Sequence, residues 1–181
     1  DEIRLVGNHN YENILAALLV INEFGIDEKI VKEFLSSFNG VEHRIEFVKE
    51  IDGVKYYNDS KATNPTSTIT ALKTFNKPVH LILGGLERYQ DFNELNGYLN
   101  NVKCIYAIGE VTDRIETYAK ENNIECKKCY KLKDALSNIF MNVKAGDIVL
   151  LSPASASQDQ YKRFEDRGDE FKSIVNTCKS K

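Results

Sequence analysis

Ile148-Val149-Leu150-Leu151-Ser152-Pro153-Ala154-Ser155-Ala156-Ser157-Gln158-Asp159-Gln160 is the stretch whose reading settles the fold class. Four consecutive apolar residues fit a short strand buried on both faces, and small or rigid residues follow at once. The same grammar recurs upstream, where Val79–Leu83 runs into Gly84-Gly85 and Cys104–Ile108 into Gly109-Glu110. Glu125–Tyr130 is a further strand candidate. Helical patterns fill the intervals at Ser67–Phe75, Phe92–Leu99, Thr112–Asn122 and Lys133–Val143. A last one runs from Asp159 to Cys178 with a break expected near Gly168. Short apolar strands alternating with amphipathic helices predict an α/β domain, Rossmann-like, with a mainly parallel sheet and helices on both faces. Ligands of such sheets gather beyond the carboxyl ends of the strands. The loops that matter are therefore Asn58–Pro65, Gly84–Asp91, Gly109-Glu110 and Ser152–Gln160.

Working toward the N-terminus, Glu46–Ile51 and Val54–Asn58 flank Asp52-Gly53, a strong hairpin signal. Before it come two helices. Ile14, Leu15, Leu18, Leu19 and Ile21 recur near a period of 3.6, with Asn10 a plausible cap and Gly25 a stop. Asp27 then caps a helix carrying Ile30, Val31, Phe34, Leu35 and Phe38, expected to end near Asn39-Gly40. A helical pair of about 40 residues is too small to be a stable domain alone. The organisation read here is residues 1–40 as helices belonging to a preceding domain and 41–181 as the α/β domain.

Composition excludes several classes. The 181 residues carry 24 basic and 27 acidic side chains, a net charge of −3, so no basic surplus drives nucleic-acid or membrane-surface binding. The longest apolar runs are far too short to cross a bilayer. Cys104, Cys126, Cys129 and Cys178 read as free thiols of a reducing cytoplasm, since a chain of this length needs no disulfide staple. Cys126 and Cys129 form a C-x-x-C without a second close pair of ligands, so no metal site is assigned. The chain opens at Asp1-Glu2-Ile3 without a methionine or a signal segment, which reads as a piece of a longer polypeptide.

The loops carry the chemistry. Asn58-Asp59-Ser60-Lys61-Ala62-Thr63-Asn64-Pro65 places a lysine, hydroxyls and a carboxylate between a strand and a helix capped by Thr66 or Ser67. Helix N-termini attract anions, and Lys61 and Thr63 suit a carboxylate or phosphate. Asp59 is available to a metal, a sugar hydroxyl or Lys61 itself. The same residues also read as a polar turn with a good cap. Gly84-Gly85 allows close backbone approach, and Arg88 beyond it can reach an anion. Ser157 reads as a cap or an anion contact at the start of the last helix. Neither Ser155 nor Ser157 sits in a G-x-S-x-G elbow, so binding is favoured over covalent catalysis and no acid, base or nucleophile is assigned. His80, inside an apolar strand, and His43 read as structural. No histidine has metal-ligand spacing, no G-x-G-x-x-G occurs, and no G-x-x-x-x-G-K-[ST] occurs to cradle phosphates.

Taken together, Gly7-Asn8-His9-Asn10-Tyr11-Glu12-Asn13, His43-Arg44, Asn58–Pro65, Leu83-Gly84-Gly85 and Leu151–Gly168 resemble, in order, the C-terminal part of the Mur ligases, in the branch that adds D-glutamate. Most specific are Ser152–Gln160 and Phe164-Glu165-x-Arg167-Gly168; a D-N-P-R run, typical of the branch adding a diamino acid, is absent. Leu86-Glu87-Arg88, Ser155 and Gln158 depart from the usual pattern. The resemblance implies a three-domain ATP-dependent cytoplasmic bacterial enzyme, a monomer, that joins D-glutamate to UDP-N-acetylmuramoyl-L-alanine through an acyl phosphate. By resemblance Lys61, Thr63, Arg88, Ser157 and the backbone at Phe164 hold D-glutamate, and Asn10, Asn13, Arg44 and Asp59 face ATP. Mg²⁺ and most of the ATP would be held by the central domain, so this piece alone is expected to be inactive. Two other readings are a non-catalytic Rossmann-like module for a nucleotide or acidic metabolite, and a ligase like folylpolyglutamate synthase.

Overall fold

The computed structural model describes residue 5, residues 7–38 and residues 40–178. Asp1-Glu2-Ile3 and Asn39 lie outside the described residues, as does the side chain of His9. Six strands form one sheet: β1 (Glu46–Ile51), β2 (Val54–Asn58), β3 (Val79–Gly84), β4 (Val102–Ile108), β5 (Glu125–Tyr130) and β6 (Ile148–Leu151). Their order is β1-β2-β6-β3-β4-β5. β1 pairs antiparallel with β2, and all other pairings are parallel. Asp52 at φ 50° and Gly53 at φ 77° are both left-handed, the geometry that closes a two-residue hairpin with the strands' own twist.

Because side chains alternate along a strand, the apolar runs build two cores, one on each face. Leu81, Leu83, Ile105, Ala107 and Leu150 face α3 (Pro65–Leu72) and α4 (Thr112–Glu121). Ile82, Tyr106, Val149 and Leu151 face α5 (Leu132–Asn142) and α6 (Phe164–Thr177). Cys126 packs against the first core and Cys129 lies in the second, so the C-x-x-C thiols point to opposite faces of the sheet. His80 is a core residue: its Nδ1 lies 3.0 Å from the Tyr106 hydroxyl and its Nε2 3.2 Å from Asp147 Oδ2.

Several boundaries differ from the periodicity reading. α1 spans Asn8–Glu23 after Gly7 at φ 94°, so Asn10 lies inside the helix and is not its cap. α2 spans Glu28–Ser37, capped by Asp27, whose carboxylate accepts from Lys29 N at 2.7 Å. The cap of α3 is Asn64, whose Oδ1 accepts from Ser67 N at 2.9 Å with Pro65 in the first turn; Thr66 and Ser67 already belong to the helix. Phe92–Leu99 shrinks to a 3₁₀ turn, Phe92–Leu95, opened by Asp91. Gly97 then turns left-handed at φ 84°, which ends any continuation.

The last helix begins at Phe164, not Asp159, and runs unbroken through Gly168 to Thr177. Asp159 and Gln160 are drawn away from a helical start, because Asp159 Oδ2 accepts from Glu110 N and Gln160 Nε2 donates to Tyr130 O. Asp166 Oδ2 then accepts from Arg163 N at 3.0 Å, closing the first turn of α6 onto the residue before it. Gly168 serves close packing: a Cβ there would collide with the His43 ring and meet the Asn58 amide at 3.0 Å.

α1 and α2 enclose an apolar groove of about 450 Å³ lined by Ile14, Leu18, Ile21, Ile30 and Phe34. Leu15 and Leu19, expected on that stripe, are instead 62% and 74% exposed. α2 buries none of its residues.

Candidate functional site

β2, β6 and β3 are neighbours in the sheet, and the order of connection reverses around them. The loops after these three strands therefore meet where parallel α/β sheets bind ligands. They are residues 59–64, 152–163 and 85–91.

The first loop is fixed from beneath. Asn58, fully buried, donates from Nδ2 to His43 Nδ1 and to Glu46 Oε2, both at 2.9 Å, while its Oδ1 accepts from Ser60 N at 3.2 Å. Asp59 is buried as well. Its Oδ2 accepts from Ser152 Oγ at 2.7 Å, its Oδ1 from Ile45 N at 3.2 Å, and its backbone N donates to Leu151 O. Burial pushes the Asp59 carboxyl up to about 7, against the lowering pull of those hydrogen bonds and of Arg44. Asp59 thus leans on Ser152 and the 43–45 segment, and it forms no ion pair with Lys61 among the described residues. Lys61 and Thr63 stand exposed at the mouth. Asp59, Arg44, Lys61, Ser67 and Thr70 line a cavity of about 190 Å³.

The second loop lies against the third. Gly84 N donates to Pro153 O and Leu86 N to Ala156 O, both at 2.8 Å. Gly85 cannot be another residue here: φ is 151°, and a Cβ would strike the Ala156 carbonyl. Glu87 Oε1 accepts from Arg114 Nη1 at 3.0 Å, and Gln90 Nε2 donates to Ser155 Oγ at 2.5 Å. This bracing leaves Arg88 and Tyr89 exposed at the tip, Tyr89 with φ 56°.

In the third loop Ser152–Ser157 are all buried. No helix starts at Ser157; its carbonyl accepts from Gln160 N and Tyr161 N instead. Its hydroxyl is buried without a hydrogen-bond partner, the one such side-chain atom among the described residues. A buried, unmatched hydroxyl costs stability and is rare in native proteins. Phe164 opens α6, so its N–H has no intrahelical acceptor, while its carbonyl accepts from Ser60 Oγ at 2.7 Å.

The residues expected to face a nucleotide line one edge. Asn10, Asn13 and Arg44 border the apolar groove of α1 and α2, and Arg44 and Asp59 border the smaller cavity, so Arg44 joins the two. A triad of potential metal ligands, Glu42, His43 and Asp169, lies to the side. Lys172 already sits on Glu42 and pairs with Asp169 at 3.2 Å, so the ammonium occupies the place a cation would take.

One residue escaped functional assignment in the sequence. Arg167 is 1% exposed and bonds to the first and third loops and to Gly84, the end of β3 from which the second loop leaves. Its signal was its position: with Phe171 and Val175 it forms an i, i+4, i+8 stripe on the buried face of α6, where an arginine has no apolar reason to be.

The family described as Mur ligase, glutamate ligase domain, matches residues 43–155. The UDP-N-acetylmuramoylalanine–D-glutamate ligase of Bacillus subtilis is 43% identical over 180 residues, covering 99% of this chain and 40% of the relative. The chain therefore spans about two fifths of the length of that curated relative. Among solved structures, the UDP-N-acetylmuramate–alanine ligase of Thermotoga maritima superposes with a TM-score of 0.72 at 18% identity, covering 97% of this chain and 39% of the other. Folylpolyglutamate synthase from the same organism gives 0.60 at 22% identity, covering 84% and 37%. At such identities the two structures share the fold and say nothing further.

Proposed function

The chain belongs to the Mur ligase family through its glutamate ligase domain, and from that premise we propose that it is the amino-acid-binding end of an ATP-dependent ligase joining D-glutamate to UDP-N-acetylmuramoyl-L-alanine. The observation that carries the reading is Ser157, a buried hydroxyl without a partner, set where the loops bearing Lys61 and Arg88 also converge. A dianionic amino acid needs two separate anion sites, and a lysine, an arginine, a hydroxyl and a helix N-terminus supply them. The D-glutamate identity comes from the relatives, whose printed names specify it.

In ligases of this type the carboxylate of the UDP-sugar peptide is activated as an acyl phosphate, the amine of the incoming amino acid attacks its carbonyl, and phosphate and a proton leave. This chain's share is positioning. Lys61, Thr63, Arg88, Ser157 and the Phe164 N–H hold the two D-glutamate carboxylates, leaving the amine free to be aimed. Asn10, Asn13, Arg44 and Asp59 face ATP, with Arg44 bordering both the apolar groove and the smaller cavity that Asp59 lines. Phosphates and Mg²⁺ fall to another part of the protein, since this sequence has no P-loop. The exposed Leu15, Leu19 and Phe24 support reading residues 1–40 as the end of a central ATP-binding domain and 41–181 as the C-terminal domain. No helix among the described residues is long and apolar enough to cross a membrane. A cytoplasmic bacterial monomer is proposed on the family resemblance alone.

The test is phosphate release by the full-length protein with ATP, Mg²⁺ and UDP-N-acetylmuramoyl-L-alanine. Release that requires D-glutamate and is not supported by L-glutamate or L-lysine is expected. Release with a folate and L-glutamate would move the assignment to the folate ligases.

A further inference from the structure

The geometry points to Arg167 as the positioning residue of the amino-acid site: one buried guanidinium sets the spacing of the three loops that carry Lys61, Arg88 and Ser157. This rests on the D-glutamate reading above. Arg167 Nε donates to Ser60 Oγ at 3.0 Å and Nη2 to Ser60 O at 2.9 Å, which fixes the residue before Lys61. Nη1 and Nη2 together grip Ser155 O at 3.2 and 3.1 Å, two residues before Ser157. Nη1 also reaches Gly84 O at 3.4 Å, at the root of the loop that displays Arg88. Ser60 Oγ passes the constraint on to Phe164 O at 2.7 Å, so the first turn of α6 is held by the same side chain.

All the hydrogen-bond acceptors are neutral oxygens; Asp159 attracts the guanidinium through space but forms no salt bridge with it among the described residues. A side chain placed only to fill the core would be apolar, because a buried cation without a carboxylate at hydrogen-bond distance is costly. The arrangement is intelligible if the positive charge serves the site. Beneath the loops it adds an attractive field for a dianion bound above, in a low-dielectric setting where the interaction is little screened. The planar fork matters as much as the charge, since a lysine ammonium cannot span Ser60, Gly84 and Ser155 together.

The experiment uses the full-length ligase with Arg167→Lys and Arg167→Ala. For Arg167→Lys the expected result is a folded protein whose KM for D-glutamate rises at least tenfold while the KM values for ATP and the UDP-sugar peptide stay within about twofold. If Arg167→Ala also folds, ethylguanidinium added to the assay should recover part of its D-glutamate affinity and leave the ATP KM unmoved. An Arg167→Lys enzyme with an unchanged D-glutamate KM overturns the inference. So does one that fails to fold or whose three KM values rise together, because either outcome assigns Arg167 to general stability. Wild-type enzyme showing no dependence on D-glutamate would instead remove the function reading, and the inference with it.

Discussion

Ser157, Lys61 and Asp59 separate three kinds of site residue. The Ser157 hydroxyl has no partner in the folded protein, so Ser157→Ala removes an unmatched polar atom and should leave thermal stability unchanged or raise it by about 1 kcal/mol. The same change should weaken D-glutamate binding; parallel melting and KM measurements check both halves. Lys61 is exposed, so Lys61→Ala should fold normally and lose a charge-assisted contact of roughly 1.5–3 kcal/mol in kcat/KM for D-glutamate. Asp59 bears on stability through its proton. Its folded carboxyl is raised to about 7 from 3.8, so between these values the unfolded chain is ionised while the folded one keeps its proton. Stability is then fullest below 3.8 and falls as pH rises toward 7, by up to roughly 1.4 kcal/mol per pH unit. Asp59→Asn should therefore gain on wild type progressively across that window in urea melts, and an offset constant with pH would show that Asp59 does not titrate so high.

At the scale of the element, α6 is the informative case. Glycine inside a helix ordinarily destabilises it by about 1 kcal/mol relative to alanine. At Gly168 the sign should reverse, because a methyl would run into His43 and crowd Asn58, the residues that anchor the first loop. Gly168→Ala is expected to destabilise by roughly 1–3 kcal/mol, read from the urea midpoint. A glycine in a helical pattern suggests a break, and the sequence reading put one there. The helix persists because the packing, not the backbone, requires the glycine. The late start of α6 has the same kind of cause: Asp159 and Gln160 bond to Glu110 and Tyr130, residues remote in sequence, and local helix signals cannot weigh such partners.

For the whole molecule the two ends of the sheet differ in kind. The carboxyl ends of β2, β3 and β6 carry unmatched or strained groups, whereas toward the other end His80, Tyr106 and Asp147 form a closed buried network. Burial lowers the His80 pKa from 6.5 despite the opposing pull of Asp147. The unfolded chain then takes up a proton that the folded one resists, so this contribution is present above 6.5 and is lost as pH falls below it. Replacing His80 with glutamine should flatten stability against pH below 6.5, measured in urea melts with wild type in parallel. An unchanged slope would place the acid sensitivity elsewhere.

Sequence alone determined the class of fold, all six strands to within two residues at either end, and the three loops that converge at the site. Those features follow from alternation, period and turn chemistry, which neighbours along the chain dictate. Only the tertiary structure decided that Ser157 has no partner, that burial raises the Asp59 carboxyl, and which distant oxygens Arg167 binds. Ser60 and Gly84 stand 107 and 83 residues from Arg167 in the chain. Hydrogen-bond partners and desolvation of that kind exist only once the sheet has brought distant segments together, and no local pattern encodes them.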